Sequence, residues 1–158
     1  MDVFKVDPEH PDQTALDAAA EVVLRGGVIA FPTDTIYGLG CSLFDVSAVE
    51  MVARLKRRDP SLAVISLIPN PSQAYGLASE VSAAAERLIE HFWPGPLSLI
   101  FRASPVVPPR VRGAGGTGRA ALPEGPSRVR RCSAASAARW WRAAPTSPDI
   151  VRPRPRKR

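Results

Sequence analysis

Hydrophobic residues recur with two different periods over residues 1–105, and both periods predict regular secondary structure. Short apolar runs bounded by Gly, Pro or Asn are typical of buried strands, whereas apolar residues three and four positions apart are typical of amphipathic helices. The pattern predicts strands at 3–6, 28–31, 63–68 and 97–101 and helices at about 12–25, 47–56 and 79–92. Because strands alternate with helices, we expect an α/β domain whose sheet is covered by helices on at least one face.

A cluster of polar side chains follows the apolar run at 28–31. Pro32 lacks an N–H and is expected to end strand pairing. The hydroxyl, carboxylate and phenol groups that come next belong to Thr33, Asp34, Thr35 and Tyr37. We expect Gly38 and Gly40 to let the backbone approach a ligand closely. Such a strand end often binds a small molecule in α/β proteins, but an ordinary strand–turn–helix connection explains the stretch equally well.

Three consecutive cations end the helix predicted at 47–56. They are Lys56, Arg57 and Arg58, and Pro60 marks the stop. One cation at this end complements the helix dipole, but three are more than that role requires. Lysine as a point charge and arginine as a bidentate fork suit a polyphosphate, so Lys56 and Arg58 are candidates for phosphate binding.

A third cluster joins the helix at 79–92 to the strand at 97–101. It reads Phe92-Trp93-Pro94-Gly95-Pro96-Leu97-Ser98-Leu99, an aromatic pair before a Pro-Gly-Pro turn and then a strand with one hydroxyl, that of Ser98. By itself the run indicates packing and a turn.

In this order and spacing the three clusters resemble the YrdC-like family of threonylcarbamoyl-AMP synthases. The resemblance covers about residues 12–117 and rests on the runs Pro32-Thr33-Asp34-Thr35-Ile36-Tyr37-Gly38-Leu39-Gly40, Lys56-Arg57-Arg58-Asp59-Pro60 and Phe92 to Leu99. It implies a single YrdC-like α/β domain with a twisted mixed sheet flanked by helices. It also implies a nucleotidyltransferase that condenses threonine, bicarbonate and ATP into threonylcarbamoyl-adenylate, releasing pyrophosphate, for the threonylcarbamoyl modification of adenosine in tRNA.

The resemblance also assigns roles to individual residues. The residues that would position threonine and its carbamate are Thr33, Thr35 and Tyr37. Those that would bind the nucleotide and its phosphates are Lys56, Arg58 and Ser98, and Mg²⁺ would accompany ATP. No residue is assigned as a nucleophile, a general base or a metal ligand.

The chain departs from the family pattern at several positions. Leu62-Ala63 stands where the family commonly has Lys-Pro, and Ser98 replaces a more usual threonine but keeps the hydroxyl. The family has an arginine in a strand just after a Gly-Gly turn, where it is thought to hold the threonine carboxylate. Arg119 is close to that position in number. It lies at the end of the segment Gly116–Arg119, however, where we suspect that the reading frame of the gene changes, so the role is not transferred to it.

Charge divides the chain into two parts. Residues 1–101 carry 7 Lys/Arg and 13 Asp/Glu, whereas residues 102–158 carry 14 Lys/Arg and 2 Asp/Glu. The formal net charge of +6 therefore belongs to the C-terminal third. Residues 118–158 show no sustained period and few large hydrophobes, which predicts a C-terminally incomplete YrdC-like domain at 1–117 and an irregular, disordered basic tail at 118–158.

The basic tail admits two functional alternatives. Its cations could bind phosphates and Trp140-Trp141 could stack on bases, which would make the chain a module for tRNA or double-stranded RNA. Alternatively, the chain is an inactive, truncated homologue whose sheet lacks its last strands.

A shifted reading frame is a third interpretation of the tail. The family has a Ser-x-Asn motif near its C-terminus that helps to bind the nucleotide, but the only asparagine here is Asn70. A shifted codon can be made from the third base of one present codon and the first two bases of the next. Read in this way, the codons of residues 135–149 are compatible with Leu-Gly-Gly-Pro-Leu-Val-Ala-x-Ser-Ala-Asn-x-Ser-Gly, which looks like the family's motif. The hypothesis places an insertion or deletion near Gly116–Arg119 and predicts an impaired enzyme.

Cysteine usage and the N-terminus indicate a compartment. Cys41 and Cys132 are far apart, and the first residues include no long apolar segment. We therefore expect free thiols, no signal peptide, no membrane span and a cytoplasmic location. Cys41 is expected to act as a small buried hydrophobe rather than as a nucleophile.

Overall fold

A computed structural model of the chain describes residues 3–7, 12–32, 37–59 and 61–123. Its helices are α1 (Gln13–Leu24), α2 (Val46–Leu55), α3 (Ser72–Leu77) and α4 (Ala83–Phe92), with a 3-10 turn at Pro109–Val111. Its strands are β1 (Ile29–Pro32), β2 (Tyr37–Gly40), β3 (Ile65–Leu67), β4 (Ser98–Arg102) and β5 (Thr117–Ala121). The predicted α/β class is confirmed. The strand predicted at 3–6 does not form, and α3, β2 and β5 were not predicted.

The three longest helices begin at side-chain caps. Asp12 accepts the Thr14 N–H at 3.0 Å, Asp45 accepts the Ala48 N–H at 3.0 Å, and Ser82 accepts the Ala85 N–H at 3.2 Å. Each cap satisfies an amide that has no partner within its helix. No helix in the described ranges has the length and apolar character needed to cross a membrane.

The strands form two sheets. β1 and β2 make an antiparallel pair, and the second sheet has the order β3-β5-β4, with β5 parallel to β3 and antiparallel to β4. The prediction of a mixed sheet holds for this second sheet. The prediction that Pro32 ends strand pairing is wrong by one residue, because Pro32 is paired with Tyr37 as the last residue of β1. Proline is tolerated at a strand end, where its missing N–H costs no interior ladder bond.

Two apolar clusters hold these elements together. The larger one lies between one face of the three-stranded sheet and helices α3 and α4, and includes Ile89, Trp93 and Phe101. The smaller one packs Val49 of α2 against Val107 and Val111, next to the 3-10 turn. The second cluster therefore fixes α2 beside the segment that leads into β5.

β5 crosses the boundary predicted between residues 117 and 118. It is the central strand of its sheet, and Ala120, Ala121 and Leu122 are buried. The Ile68 N–H donates to the Ala121 carbonyl at 3.0 Å, and the Gly95 N–H donates to the Leu122 carbonyl at 2.9 Å. The first residues of the predicted tail therefore belong to the domain.

This strand also corrects the position of the predicted frame change. Residues 117–122 fit the sheet in the present frame, so a change near Gly116–Arg119 is too early. Thr-Gly-Arg-Ala-Ala has little strand propensity of its own, which is why the sequence pattern did not reveal it. The remainder of the predicted tail, 124–158, lies outside the described residues, and its disorder stays a prediction.

Candidate functional site

The polar stretch after β1 stands in the sequence between two strands that pair with each other, β1 and β2. Thr33 and Thr35 lie outside the described residues. Tyr37 opens β2, and its side chain is 77% exposed, so the phenol can reach solvent or a ligand. The alternative of a strand–turn–helix connection is wrong, because the next described element is β2, a strand that pairs antiparallel with β1.

Gly38 and Gly40 have a packing role that the sequence did not reveal. Phe31 is registered opposite Gly38, and its ring lies over both glycines. A Cβ on Gly38 would sit 3.0 Å from Phe31 Cζ, and one on Gly40 would sit 2.6 Å from Phe31 Cε1. The space that we interpreted as room for a ligand is therefore filled by Phe31.

The predicted cationic cluster forms a tight turn at the end of α2. Lys56 is the C-cap and is exposed, and Arg57 is exposed as well. Arg58 is half-buried, and its Nη2 donates to the Ala63 carbonyl at 2.8 Å. Its Nε is buried and has no hydrogen-bond partner within the described part of the chain. Arg58 thus holds the turn against the segment before β3 and keeps donors that a ligand could use.

The Asp59 carboxylate, which follows the three cations in sequence, is hydrogen-bonded to Ser61. The Ser61 N–H and the Ser61 hydroxyl donate to Asp59 Oδ1 at 2.8 and 2.7 Å. These bonds, the backbone one first, lower the pKa of the Asp59 carboxyl from its usual range. Asp59 therefore stays ionised, but it is directed at Ser61, and the positive charge of the cluster remains available.

Ser98 lies on the face of the three-stranded sheet that the larger cluster leaves uncovered. Residues registered on neighbouring strands point to the same side, and side chains alternate along a strand. Ile65, Arg119 and Ile100 form one registered row, and Ser98 lies two residues before Ile100, so all four share a face. Ser98 is exposed and Ile100 is 63% exposed. Among the described residues this face is therefore open to a ligand at Ser98 and Ile100, whereas Ala121, which is registered with Ser98, is buried.

Arg119 is the residue that the sequence analysis left without a role. It follows the Gly115-Gly116 turn, in which both glycines have positive φ, and it occupies the central strand. Its Nε is buried without a hydrogen-bond partner in the described residues. The sequence signal for this arginine is the Gly-Gly turn that precedes it, and only the supposed frame change argued against assigning it the role of the family's arginine. The structure removes that objection.

The predicted site residues fall into three places. Ser98 is registered with Ala121 and Leu67 at the carboxyl end of β3, whereas Arg58 contacts Ala63, before β3 begins. The four residue-to-residue steps from Ala63 to Leu67 span about 13 Å of extended chain. Tyr37 lies on the separate β1–β2 sheet. Ser98 and Arg119 therefore lie on the same sheet face, whereas the cationic turn lies at the opposite end of β3.

One concave region of the described chain lies away from all of these residues. It is an open depression of about 370 Å³ between the end of α1 and the start of α2, lined by Val23, Leu24, Ser42, Phe44, Asp45 and Val46. No predicted site residue lines it, and the Asp45 carboxylate accepts the Ala48 N–H as the N-cap of α2.

Cys41 has the environment of a packed thiol. It is half-buried against the cluster around Val49. Burial, and then the nearby negative charge of Asp45, raise the pKa of this thiol above its usual value. A thiol with a raised pKa is protonated at neutral pH and a poor nucleophile, as expected from the sequence.

We therefore expect slow alkylation of Cys41. In a Cys132→Ser chain, iodoacetamide should react more slowly with the folded protein than with the urea-unfolded protein between pH 7 and 8, and the folded rate should rise only at higher pH. Asp45→Asn keeps a capping side chain but removes the charge, so it should speed the reaction. Equal rates for the folded and unfolded chains would contradict the assignment.

Comparison with known proteins gives consistent results. The family model described as telomere recombination, which groups Sua5, YciO and YrdC, matches residues 21–134. The threonylcarbamoyl-AMP synthase of Pyrococcus abyssi is 37% identical over 105 residues, 66% of this chain and 31% of that protein. The chain spans from about a third to just over half of the length of the first curated relatives that it matches.

Solved structures agree over most of the chain. Pyrococcus abyssi Sua5 complexed with L-threonine has a TM-score of 0.77 and 32% identity, covering 82% of this chain and 38% of that one. Escherichia coli YciO has a TM-score of 0.76 and 27% identity, covering 85% of this chain and 65% of that one. The family match also continues beyond Pro123, the last described residue. This chain belongs to the Sua5/YciO/YrdC family.

Proposed function

We propose that this chain is a nucleotidyltransferase of the threonylcarbamoyl-AMP synthase type, which joins threonine, bicarbonate and ATP for the threonylcarbamoyl modification of tRNA, and that its activity is impaired in the present reading frame of the C-terminal segment. The observation that carries the proposal is the likeness to Sua5 complexed with L-threonine, which extends over 82% of the chain. Relatives named threonylcarbamoyl-AMP synthase support the same reaction. Release of pyrophosphate from ATP that depends on both threonine and bicarbonate tests it.

The cationic turn supplies the electrostatic part of the proposed reaction. The threonine amine and bicarbonate form a carbamate with loss of water. A carbamate oxygen then attacks the α-phosphorus of ATP, and the bond to the β-phosphate oxygen breaks to release pyrophosphate. Lys56 and the free donors of Arg58 would neutralise the charge that builds up on the departing pyrophosphate, without any covalent step on the protein.

The remaining predicted residues would orient threonine. Thr33, Thr35 and Tyr37 would hold threonine and its carbamate, and Ser98 would contact the nucleotide. Arg119 lies on the same sheet face as Ser98, and its buried Nε, which has no hydrogen-bond partner among the described residues, makes it a candidate for the threonine carboxylate. Holding reactants in line can contribute about 7–11 kcal/mol, so orientation would be the largest contribution of the protein.

Mg²⁺ enters this proposal with the nucleotide. Within the described ranges no three His, Cys, Asp or Glu side chains come together in a group that could hold a metal. Phosphate oxygens of ATP and water would supply most of its ligands, and the ion would offset phosphate charge.

The RNA-binding alternative is not favoured by any feature of the described residues. The part of the predicted tail that is described, 118–123, lies in or next to β5. The tRNA or double-stranded RNA partner and the cytoplasmic location stay predictions from the sequence.

Replacing Lys56 by alanine should weaken ATP binding. The ammonium is exposed at the C-cap and no described residue pairs with it, so its loss removes a ligand contact and leaves the fold intact. A charge-assisted contact of this kind is worth about 1.5–3 kcal/mol, which calorimetry resolves easily. Arg58→Ala should also weaken ATP binding, but it breaks the bond to the Ala63 carbonyl, so its melting temperature must be measured in parallel.

The matched control is Arg87→Ala. Arg87 is exposed on α4, so the substitution removes the same charge at a distance from the turn. We expect the ATP affinity of this variant to equal that of the parent. An unchanged affinity in Lys56→Ala would remove Lys56 from the site.

A further inference from the structure

Arg57 has a backbone conformation that normally selects glycine. Its φ is +48°, and the other described residues with positive φ are glycines. The left-handed region brings Cβ close to the following carbonyl oxygen, so residues with a side chain are disfavoured there. A residue held in such a conformation points to a task for its side chain.

The hydrogen bonds of the turn explain the conformation but not the arginine. The Arg57 N–H donates to the Arg54 carbonyl at 3.0 Å, and the Arg58 N–H donates to the Ala53 carbonyl at 3.0 Å. These two bonds form a Schellman motif, in which Arg57 occupies the position where glycine is most common. Glycine would close the same turn without the steric cost, so the motif does not require a side chain at this position.

The Arg57 side chain has no partner within the described residues. It is exposed, and none of the described hydrogen bonds or ion pairs involves its guanidinium. The neighbouring cation, Arg58, is bonded to the Ala63 carbonyl, and the neighbouring anion, Asp59, accepts from Ser61. Arg57 and Lys56 are therefore the cations of this turn whose donors are fully available.

The electrostatics of the turn favour a multiply charged anion. Three positive charges stand on consecutive residues, no carboxylate of the described residues forms an ion pair with them, and they repel one another. A polyphosphate relieves this repulsion, and the planar fork of an arginine matches two phosphate oxygens.

We propose that Arg57 is a phosphate ligand of this protein, acting with Lys56 and with the donors that Arg58 keeps free while it also holds the turn. The inference rests on the proposed function for the identity of the nucleotide. The ligand class is a polyphosphate, which could be the triphosphate of ATP or the pyrophosphate that leaves.

Three variants of the full chain test this role by calorimetry with ATP and, separately, with inorganic pyrophosphate. Arg57→Gly removes the cation and relieves the backbone, so the melting temperature should rise by about 2–6 °C while affinity falls about tenfold. Arg57→Lys keeps the charge without the fork and should lose less affinity. Arg54→Ala removes one exposed charge from the same helix end and should change affinity less than about twofold.

The outcomes separate the two proposals. Arg57→Gly with a raised melting temperature and parental affinity for both ligands would overturn the role of Arg57 and leave the proposed function standing. An equal loss of affinity in Arg54→Ala would also overturn it, since any nearby charge would then serve. If the parent binds pyrophosphate but not ATP and Arg57→Gly loses that binding, Arg57 is a phosphate ligand and the proposed function fails.

Discussion

Replacing Leu122 by alanine is expected to lower the free energy of unfolding by about 2–5 kcal/mol, the range for a large-to-small change in a packed core. Leu122 is 2% exposed and belongs to the cluster between the sheet and α4. Its carbonyl also accepts the Gly95 N–H, so the chain cannot easily collapse into the cavity. Urea denaturation followed by the fluorescence of the tryptophans measures the change.

The control for this prediction is Leu62→Ala. Leu62 is 52% exposed, and its truncation should change the free energy of unfolding by less than about 0.5 kcal/mol. Leu122 lies beyond the boundary first predicted at residue 117, so the experiment also tests where the domain ends. Equal free energies of unfolding for the two variants would show that residues 118–123 do not pack into the domain.

Moving the reading frame after codon 123 is expected to restore activity to a chain that is otherwise strongly impaired. The present frame fits the fold through Leu122, and the family match continues to residue 134. The alternative frame resembles the family motif from residue 135 onward, so the change should lie close to codon 134, where the family match of the present frame ends. A chain shifted there should gain on the order of 100-fold in pyrophosphate release that depends on threonine and bicarbonate, the scale for restoring one preorganised transition-state contact.

Solubility should rise together with activity. The sheet exposes Ile100 and Ile65, and its outer strands β3 and β4 each pair with β5 alone within the named strands. Such edges and apolar positions favour aggregation until further chain covers them.

A matched control makes the same shift at codon 117. This shift replaces Arg119 and the buried residues that follow it, so it should give an inactive and unstable protein. Robust activity of the present chain would contradict the impairment, and an equal gain from the shift at codon 117 would contradict its position. Sequencing the gene across codons 117–140 provides an independent check.

The local pattern of the sequence determined most of the elements. Helices α1, α2 and α4 were predictable because their apolar spacing and their caps at Asp12 and Ser82 act within a few residues. β4 and the last turn of α2 were predictable for the same reason. The three motifs were visible because they are continuous in sequence.

The tertiary structure alone decided what distant segments do to each other. β5 is a strand because β3 and β4 supply hydrogen bonds on both sides, although Thr-Gly-Arg-Ala-Ala has little preference for that state. The Phe31 ring crowds the place that a Cβ would take at Gly38 and Gly40, so both positions favour glycine. The hydrogen bond from Arg58 to the Ala63 carbonyl distinguishes the role of Arg58 from that of Arg57. Pairing, register and side-chain contact depend on residues far apart in the chain, so no local pattern could reveal them.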